Sequence, residues 1–208
     1  MYKRQTLNRK QNDWNLYKYD FDTNGADLIL NDSNDSWIDR DPFIIPGEIG
    51  TWTSKRGFSF AIMEDGEIIW LSEQDGFNHI YRNRPDGRPI NQVTRGDWEV
   101  NNISAIDYKN EMIYFSAKKE TETENHLYSV RFNGSRLKRL TKEKGSHSSS
   151  FSPTLNYFIN SYSSFTVPPK TLIREDNGKI VRTLRETDRS KFDAYNPVSY
   201  THLTLPTN

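Results

Sequence analysis

One phrase recurs four times along this 208-residue chain: an apolar residue with Tyr or a second apolar residue, a short extended run, an Asn-Gly or Asp-Gly pair, and an apolar run ending near Thr or Leu. It reads LYKYDFDTNGADLIL from Leu16, IYRNRPDGRPINQVT from Ile80, LYSVRFNGSRLKRLT from Leu127 and, more loosely, LIREDNGKIVRTL from Leu172. Gly25, Gly87, Gly134 and Gly178 stand 62, 47 and 44 residues apart (87−25, 134−87, 178−134). A strand-rich unit repeating at about 45 residues predicts a β-propeller, one sheet per repeat. An unrelated meander or sandwich has strands of similar length but no hairpin at a fixed spacing. The expected fold class is all-β, a partial β-propeller of about four blades, each a four-stranded antiparallel sheet.

The turn residues carry the local reason for the repeat. A tight hairpin keeps the right-handed twist of its strands when its central residues take positive φ, and Asn-Gly and Asp-Gly do so with least strain. Asn24-Gly25, Asp86-Gly87, Asn133-Gly134 and Asn177-Gly178 are therefore predicted to join the last two strands of each blade. Upstream, GEIIWLSEQDG from Gly66, NEMIYFSAKKE from Asn110 and LNYFINSYSS from Leu155 predict second strands, and FSFAIM, ISAIDY and SSSFSP inner ones. Ile68, Trp70 and Ser72 alternate with Ile69 and Leu71. The long first interval implies an insertion in one blade.

Lys plus Arg and Asp plus Glu both number 28, so no net field draws the chain to nucleic acid or an anionic membrane. The 13% aromatic content suits rings filling the space between stacked sheets. With no cysteine there is neither a disulfide nor a thiolate metal site, and the compartment stays open. No apolar run approaches the roughly 18 residues that span a bilayer, and MYKRQTLNRKQNDW carries no signal-peptide core. No metal and no cofactor are expected.

SEQDGFNHIY (72–81), QVTRGDWEV (92–100), NHLYSV (125–130), LKRLTKEKGSHSSSFSP (137–153) and YSSFTVPPKTLI (162–173) follow one another in order. This series closely resembles the propeller domain of dipeptidyl peptidase IV-like enzymes in the prolyl oligopeptidase clan. LNRKQNDWNLYKYD (7–20) and SWID (36–39) resemble it too, so the likeness runs from residue 7 to about 187. One departure is Leu155-Asn156 in the turn after SFSP, where the family usually has Asp-Gly; Asn tolerates a left-handed turn.

The resemblance implies a two-domain serine peptidase. Its propeller of about eight blades would cap an α/β-hydrolase domain that releases N-terminal dipeptides, with Pro or Ala second, by a Ser-Asp-His triad. The nucleophile would sit in a Gly-x-Ser-x-Gly elbow, which does not occur here, and none of His79, His126, His147 and His202 resembles the triad histidine. No catalytic residue is therefore expected, and the chain alone should be inactive. The resemblance also implies a Glu-Glu pair that binds the substrate's amino group; no such pair occurs. Arg56, beside Gly57-Phe58, is the one candidate substrate-binding residue, lying loosely where the family has an Arg-bearing loop, against a solvated loop arginine. The implied partners are a peptide substrate, only in the full-length enzyme, the hydrolase domain, and a second subunit of a full-length homodimer. Full-length members are often periplasmic or secreted.

Other apparent sites read as structural. Asp32, Asp35, Asp39 and Asp41 lack the alternate spacing of a calcium loop and suggest a polar inter-blade loop. In SHSSS (146–150) Ser and His are neighbours that point to opposite faces of a strand, which suits a blade's inner edge better than a catalytic dyad. Trp98, between Asp97 and Glu99, is expected to pack between blades, and His79 and Tyr81 to be structural. The expected organisation is a partial propeller over 1–187, a linker over 188–196 and a non-native tail over 197–208, whose text resembles a translated sequencing adapter; a native terminal strand is the alternative. Two functions remain: a non-catalytic propeller fragment of a serine dipeptidyl peptidase, concerned with substrate gating and selection, or a standalone propeller-type module that binds protein or ligand. A fragment would have open flanks, expected to uncover residues such as Trp70, Tyr114 or Phe158.

Overall fold

The computed structural model describes residues 2–35, 37–38, 60–188 and 190. Arg56, Asp39, Asp41, His202 and the whole predicted tail lie outside the described residues. The first sheet has three strands, β1 (Tyr2–Leu7), β2 (Asp13–Asp20) and β3 (Gly25–Ser33), in sequence order. The second holds β4 (Phe60–Ile62), β5 (Ile68–Ser72), β6 (His79–Asn83) and β7 (Pro89–Gln92). The third holds β8 (Val100–Asp107), β9 (Met112–Ala117), β10 (His126–Arg131) and β11 (Lys138–Arg139). The fourth holds β12 (Ser146–Phe151), β13 (Tyr157–Ser163), β14 (Lys170–Glu175) and β15 (Ile180–Glu186). All are antiparallel meanders, the blades of a partial propeller. The predicted inner and second strands lie where the repeat placed them. The expectation of four strands per blade is corrected for the first sheet, whose described strands match the second to fourth of the others.

The hairpins fall at the predicted dipeptides but turn differently. In three of them only the glycine has positive φ, 87° at Gly87, 83° at Gly134 and 91° at Gly178. Each glycine N–H bonds the carbonyl three residues back, Arg84, Arg131 and Glu175, at 2.8–2.9 Å. These are type I turns closed by a left-handed glycine, not primed two-residue turns. The preceding Asp86, Asn133 and Asn177 instead accept, on a side-chain oxygen, the N–H of Arg88, Ser135 and Lys179. In the first hairpin Asn24 itself takes φ 51°. After SFSP it is Leu155, not Asn156, that turns left-handed at φ 59°. Leu155 packs against the core between the third and fourth sheets, and that contact offsets a conformational cost of about 1 kcal/mol.

The sheets stack through three seams. Trp14, Leu16 and Leu30 of the first sheet meet Ile68, Trp70 and Tyr81 of the second. Ile69, Leu71, Ile80 and Val93 meet Phe115 and Tyr128 of the third. Tyr114, Leu127 and Leu140 meet Phe151 and Phe158 of the fourth. A central strand such as β5 is therefore buried on both faces, every residue from Ile68 to Ser72. Three of the four hairpin glycines also press on the preceding sheet: a Cβ on Gly87, Gly134 or Gly178 would lie 1.8, 2.9 or 2.4 Å from the carbonyl oxygen of Ile29, Val93 or Leu140. Glycine is thus required twice at these turns, by φ and by the neighbouring backbone.

The residues expected to be uncovered at open flanks are not. Trp70, Tyr114 and Phe158 are 3%, 4% and 1% exposed, since each lies in an internal seam. Exposed apolar residues include Leu28 on the first sheet, Ile90 on the second, and Tyr157, Ile159, Ile180, Val181 and Leu184 on the fourth. The fourth phrase is also out of step by one. Leu172, paired with Asn160, takes the place held by Tyr81 and Tyr128 in their sheets, six residues before the hairpin glycine.

Candidate functional site

The chemistry-bearing side chains gather where one blade passes to the next, and they repeat. Asn78, His79, Thr94 and Val100 recur 47 residues later as Asn125, His126, Thr141 and His147 (125−78, 126−79, 141−94, 147−100). The Asn78 carbonyl accepts the Val100 N–H at 2.8 Å, and its side-chain amide donates to the Val100 carbonyl at 2.7 Å. Asn125 clamps His147 in the same way, at 2.7 and 3.0 Å. Each asparagine therefore fastens the inner strand of the following blade.

The paired histidines are saturated. The Thr94 hydroxyl accepts the Ile80 N–H at 2.9 Å, leaving its own proton for His79 Nδ1 at 3.1 Å. Thr141 treats Leu127 and His126 alike, at 3.0 and 3.1 Å. With Nδ1 accepting, the ring proton sits on Nε2, which donates to the Gly96 carbonyl in His79 (2.9 Å) and to the Glu124 carboxylate in His126 (3.2 Å). Both rings are wholly buried. That hydrogen bond from His126 holds the Glu124 carboxyl below the usual carboxylate value.

At the third seam the clamp opens into a polar cluster. His147 is 3% exposed and its ring lies 4.9 Å from that of His126 and 4.8 Å from that of Tyr162. Arg174, buried on β14, donates from Nε to Asn160 Oδ1 (3.2 Å), from Nη1 to the Gly178 carbonyl (2.9 Å) and from Nη2 to Glu143 Oε2 (2.6 Å). Asn160 in turn donates to the Ser148 carbonyl, so its amide oxygen faces Arg174 and His147. His147 thus meets acceptors at both nitrogens, Asn160 Oδ1 at 3.2 Å and the Glu143 carbonyl at 2.8 Å. Only an imidazolium would satisfy both, but burial opposes that charge and sets the pKa below the ordinary imidazole value. Burial pushes the Glu143 carboxyl up, and the Arg174 hydrogen bond and charge outweigh it, leaving a net lowering.

This arrangement fastens sheets and leaves no imidazole nitrogen open to act as a base. Ser146 and Ser148 point away from buried His147, on the exposed face of β12. Trp98 packs between the second and third sheets, with Asp97 and Glu99 exposed, as expected. Asp32 lies on strand β3 and is 8% exposed, which corrects its placement in a loop; Asp35 is exposed. Among the described residues no group of His, Asp and Glu could hold a metal ion, and no helix is long and apolar enough to cross a membrane. Burial pushes the phenols of Tyr81 and Tyr114 up to about 12, so they serve as packing groups and not as acids near neutrality. An open polar groove of about 840 Å³ lies at one end of the first sheet, lined by Asn8, Arg9, Lys10, Asn12, Asp13 and the end of β3. Glu143, Asn160 and Arg174 were not foreseen from the sequence. For the first half of the clamp, the shared offset of 47 residues was the available signal.

Residues 3–169 match the family described as dipeptidyl peptidase IV (DPP IV) N-terminal region. A protein of Aspergillus flavus named "Probable dipeptidyl peptidase 4" is 27% identical over 97% of this chain and 26% of its own length. Dipeptidyl peptidase 4 of Trichophyton equinum is 30% identical over 84% of this chain and 22% of its own. The crystal structure of Porphyromonas gingivalis dipeptidyl peptidase 4 superposes with a TM-score of 0.74 and 26% identity, covering 92% of this chain and 25% of that one. The chain spans about a quarter of the length of the relatives it matches.

Proposed function

This chain belongs to the dipeptidyl peptidase IV N-terminal region family, and on that premise we propose that it is the non-catalytic propeller portion of a serine dipeptidyl peptidase, working with an α/β-hydrolase domain. Its role is to gate and select the peptides that reach a nucleophile carried elsewhere. One observation carries the non-catalytic half of this reading: His79 and His126 are buried and hydrogen-bonded at both ring nitrogens, and His147 is buried with a polar neighbour against each of its own. Acyl transfer needs a base within hydrogen-bond reach of a nucleophile, and none of these three rings offers one. Arg56 stays a proposal as a contact to substrate.

Purified chain should give no turnover of dipeptidyl chromogenic substrates. Turnover that follows the chain through purification would overturn the non-catalytic reading. The gating role is tested by a chimera in which these four sheets replace the matching part of an active relative's propeller. A changed ratio of kcat/KM between short and long peptides is expected, and an unchanged ratio would remove gating and selection from this part of the molecule.

A further inference from the structure

We propose that the inner edge of the third sheet, along β8, holds the main chain of an extended peptide; this deepens the gating reading and rests on it. β8 is the edge strand of its sheet and pairs with β9 alone. The ladder between them shifts register twice, between Val100 and Asn102 and between Ile103 and Ala105, so that Asn101 and Ser104 are extra residues without a partner on β9. The inner strands of the second and fourth sheets, β4 and β12, pair without any shift. Bulges bend an edge strand and re-aim its side chains, and they are common beside active sites.

The two bulges change the period of β8. Val100 and Ile103 both belong to the apolar layer against the second sheet, three residues apart where a regular strand needs an even spacing. Asn102, opposite Ser116, and Ala105, opposite Tyr114, lie on the other face, toward the cluster shared with the fourth sheet. Asn101 is exposed there, and Asn102 and Ser104 are half-buried.

The polar atoms at this edge are incompletely used. Asn125 donates its amide to the His147 carbonyl, so its Oδ1 is the acceptor for Asn101 Nδ2, at 2.7 Å, and Asn101 Oδ1 stays open. The Ser104 hydroxyl donates to Asn102 Oδ1 at 3.3 Å, which leaves the Asn102 amide nitrogen as a donor without a partner among the described residues. Ser116 is 7% exposed, and its Oγ is buried with no hydrogen-bond partner among the described residues. A buried hydroxyl left unpaired costs free energy, and a bound group that accepts its proton removes that cost. Two donors, Asn102 Nδ2 and Ser116 Oγ, and one acceptor, Asn101 Oδ1, complement a peptide unit: the donors serve its carbonyl and the acceptor its N–H. The only charged side chain on β8 is Asp107, at the far end and bound to Asn110. The ligand class is thus the neutral main chain, not a charged side chain or terminus.

Isotope-labelled chain titrated with acetyl-Ala-Ala-Ala-amide and followed by nuclear magnetic resonance should show saturable shifts of the Asn101 and Asn102 side-chain amides. Ser116→Ala removes the orphaned hydroxyl and should weaken binding about two- to tenfold while leaving the melting temperature unchanged or raised. Asn102→Ala should weaken binding as well, with unchanged circular dichroism. No saturable shift, as when Ser116 holds only water, shifts confined to other sheets, or binding that both variants leave intact would each overturn the proposal. In the chimera, Asn102→Ala should raise KM for long peptides about two- to tenfold, with the smaller change in kcat. An unchanged KM in a chimera that still discriminates by length would remove this site and leave the gating role standing. A chimera that does not discriminate would remove the gating role, and the titration then decides the site by itself.

Discussion

The second and third seams join the same kind of sheet and are built from opposite materials. Between the second and third sheets Ile69, Leu71, Ile80, Phe115 and Tyr128 form a continuous apolar layer. Between the third and fourth, a smaller apolar cluster around Tyr114 and Phe158 shares the interface with His126, His147, Asn160, Arg174 and Glu143. Apolar burial is strong and indifferent to direction. The polar cluster adds less net stability, because buried charges lose hydration, but it leaves little tolerance for misalignment. The difference teaches that the repeat specifies a stacking geometry and leaves the chemistry of each seam open.

The largest effect is expected in the apolar seam. Phe115→Ala removes a fully buried ring stacked on Trp98 and Tyr128 and should cost about 3–5 kcal/mol. The urea midpoint measures it, and a loss below that of the polar-seam variants would reverse the ranking. Next comes Arg174→Ala, which removes the guanidinium donor from the Asn160 oxygen and leaves the Glu143 carboxylate only the Lys142 N–H. A loss of about 2–4 kcal/mol is expected, under the full cost of a broken buried pair because the Glu143 side chain keeps 30% of its exposure. Combining Arg174→Met with Glu143→Leu should restore much of it; no recovery would mean that the pair does more than neutralise itself.

Gly134→Val and Gly178→Val test what the seams share. Each forces a β-branched residue to positive φ and drives a Cβ toward a carbonyl of the preceding sheet. Each should lose at least about 1 kcal/mol, and an unchanged denaturation midpoint in either would remove the hairpin lock from that seam.

The smallest effect is a pH dependence confined to the polar seam. His147 lies below the ordinary imidazole value of 6.5, so the unfolded chain takes up that proton first and stability falls as pH drops below 6.5. Glu124 and Glu143 lie below 4.5, so their contribution is present above that value and is lost as pH falls through their folded pKa. The signs agree: the melting temperature should decline from neutrality into acid. His147→Gln should flatten the upper part of the decline, between pH 6.5 and 4.5. A variant that keeps the full slope there would place the acid sensitivity outside this seam.

Much of the fold was legible because it is local. Hairpin dipeptides, alternation in β5 and the interval between glycines each depend on residues near in sequence, and all four hairpins lie where they point. The turn type was less so, because a left-handed glycine closes a type I turn as readily as it serves a primed one. Leu155 shows the limit: packing from another sheet holds it left-handed, and no local preference predicts that. The polar cluster was hardest to foresee. Glu143 and Arg174 are 31 residues apart and on different elements, so their contact exists only once two sheets are stacked.

The sequence by itself determined the repeat, the hairpin positions and the family of blades, because hydrophobic period and turn preference act within a few residues. It also determined that His147 and its flanking serines point apart, since a strand alternates. Only the tertiary structure decided which faces are covered and which histidine rings are saturated. Burial and hydrogen-bond partners at a seam come from chain segments tens of residues apart, and the cost of an unpaired buried group selects among arrangements that local sequence leaves equal.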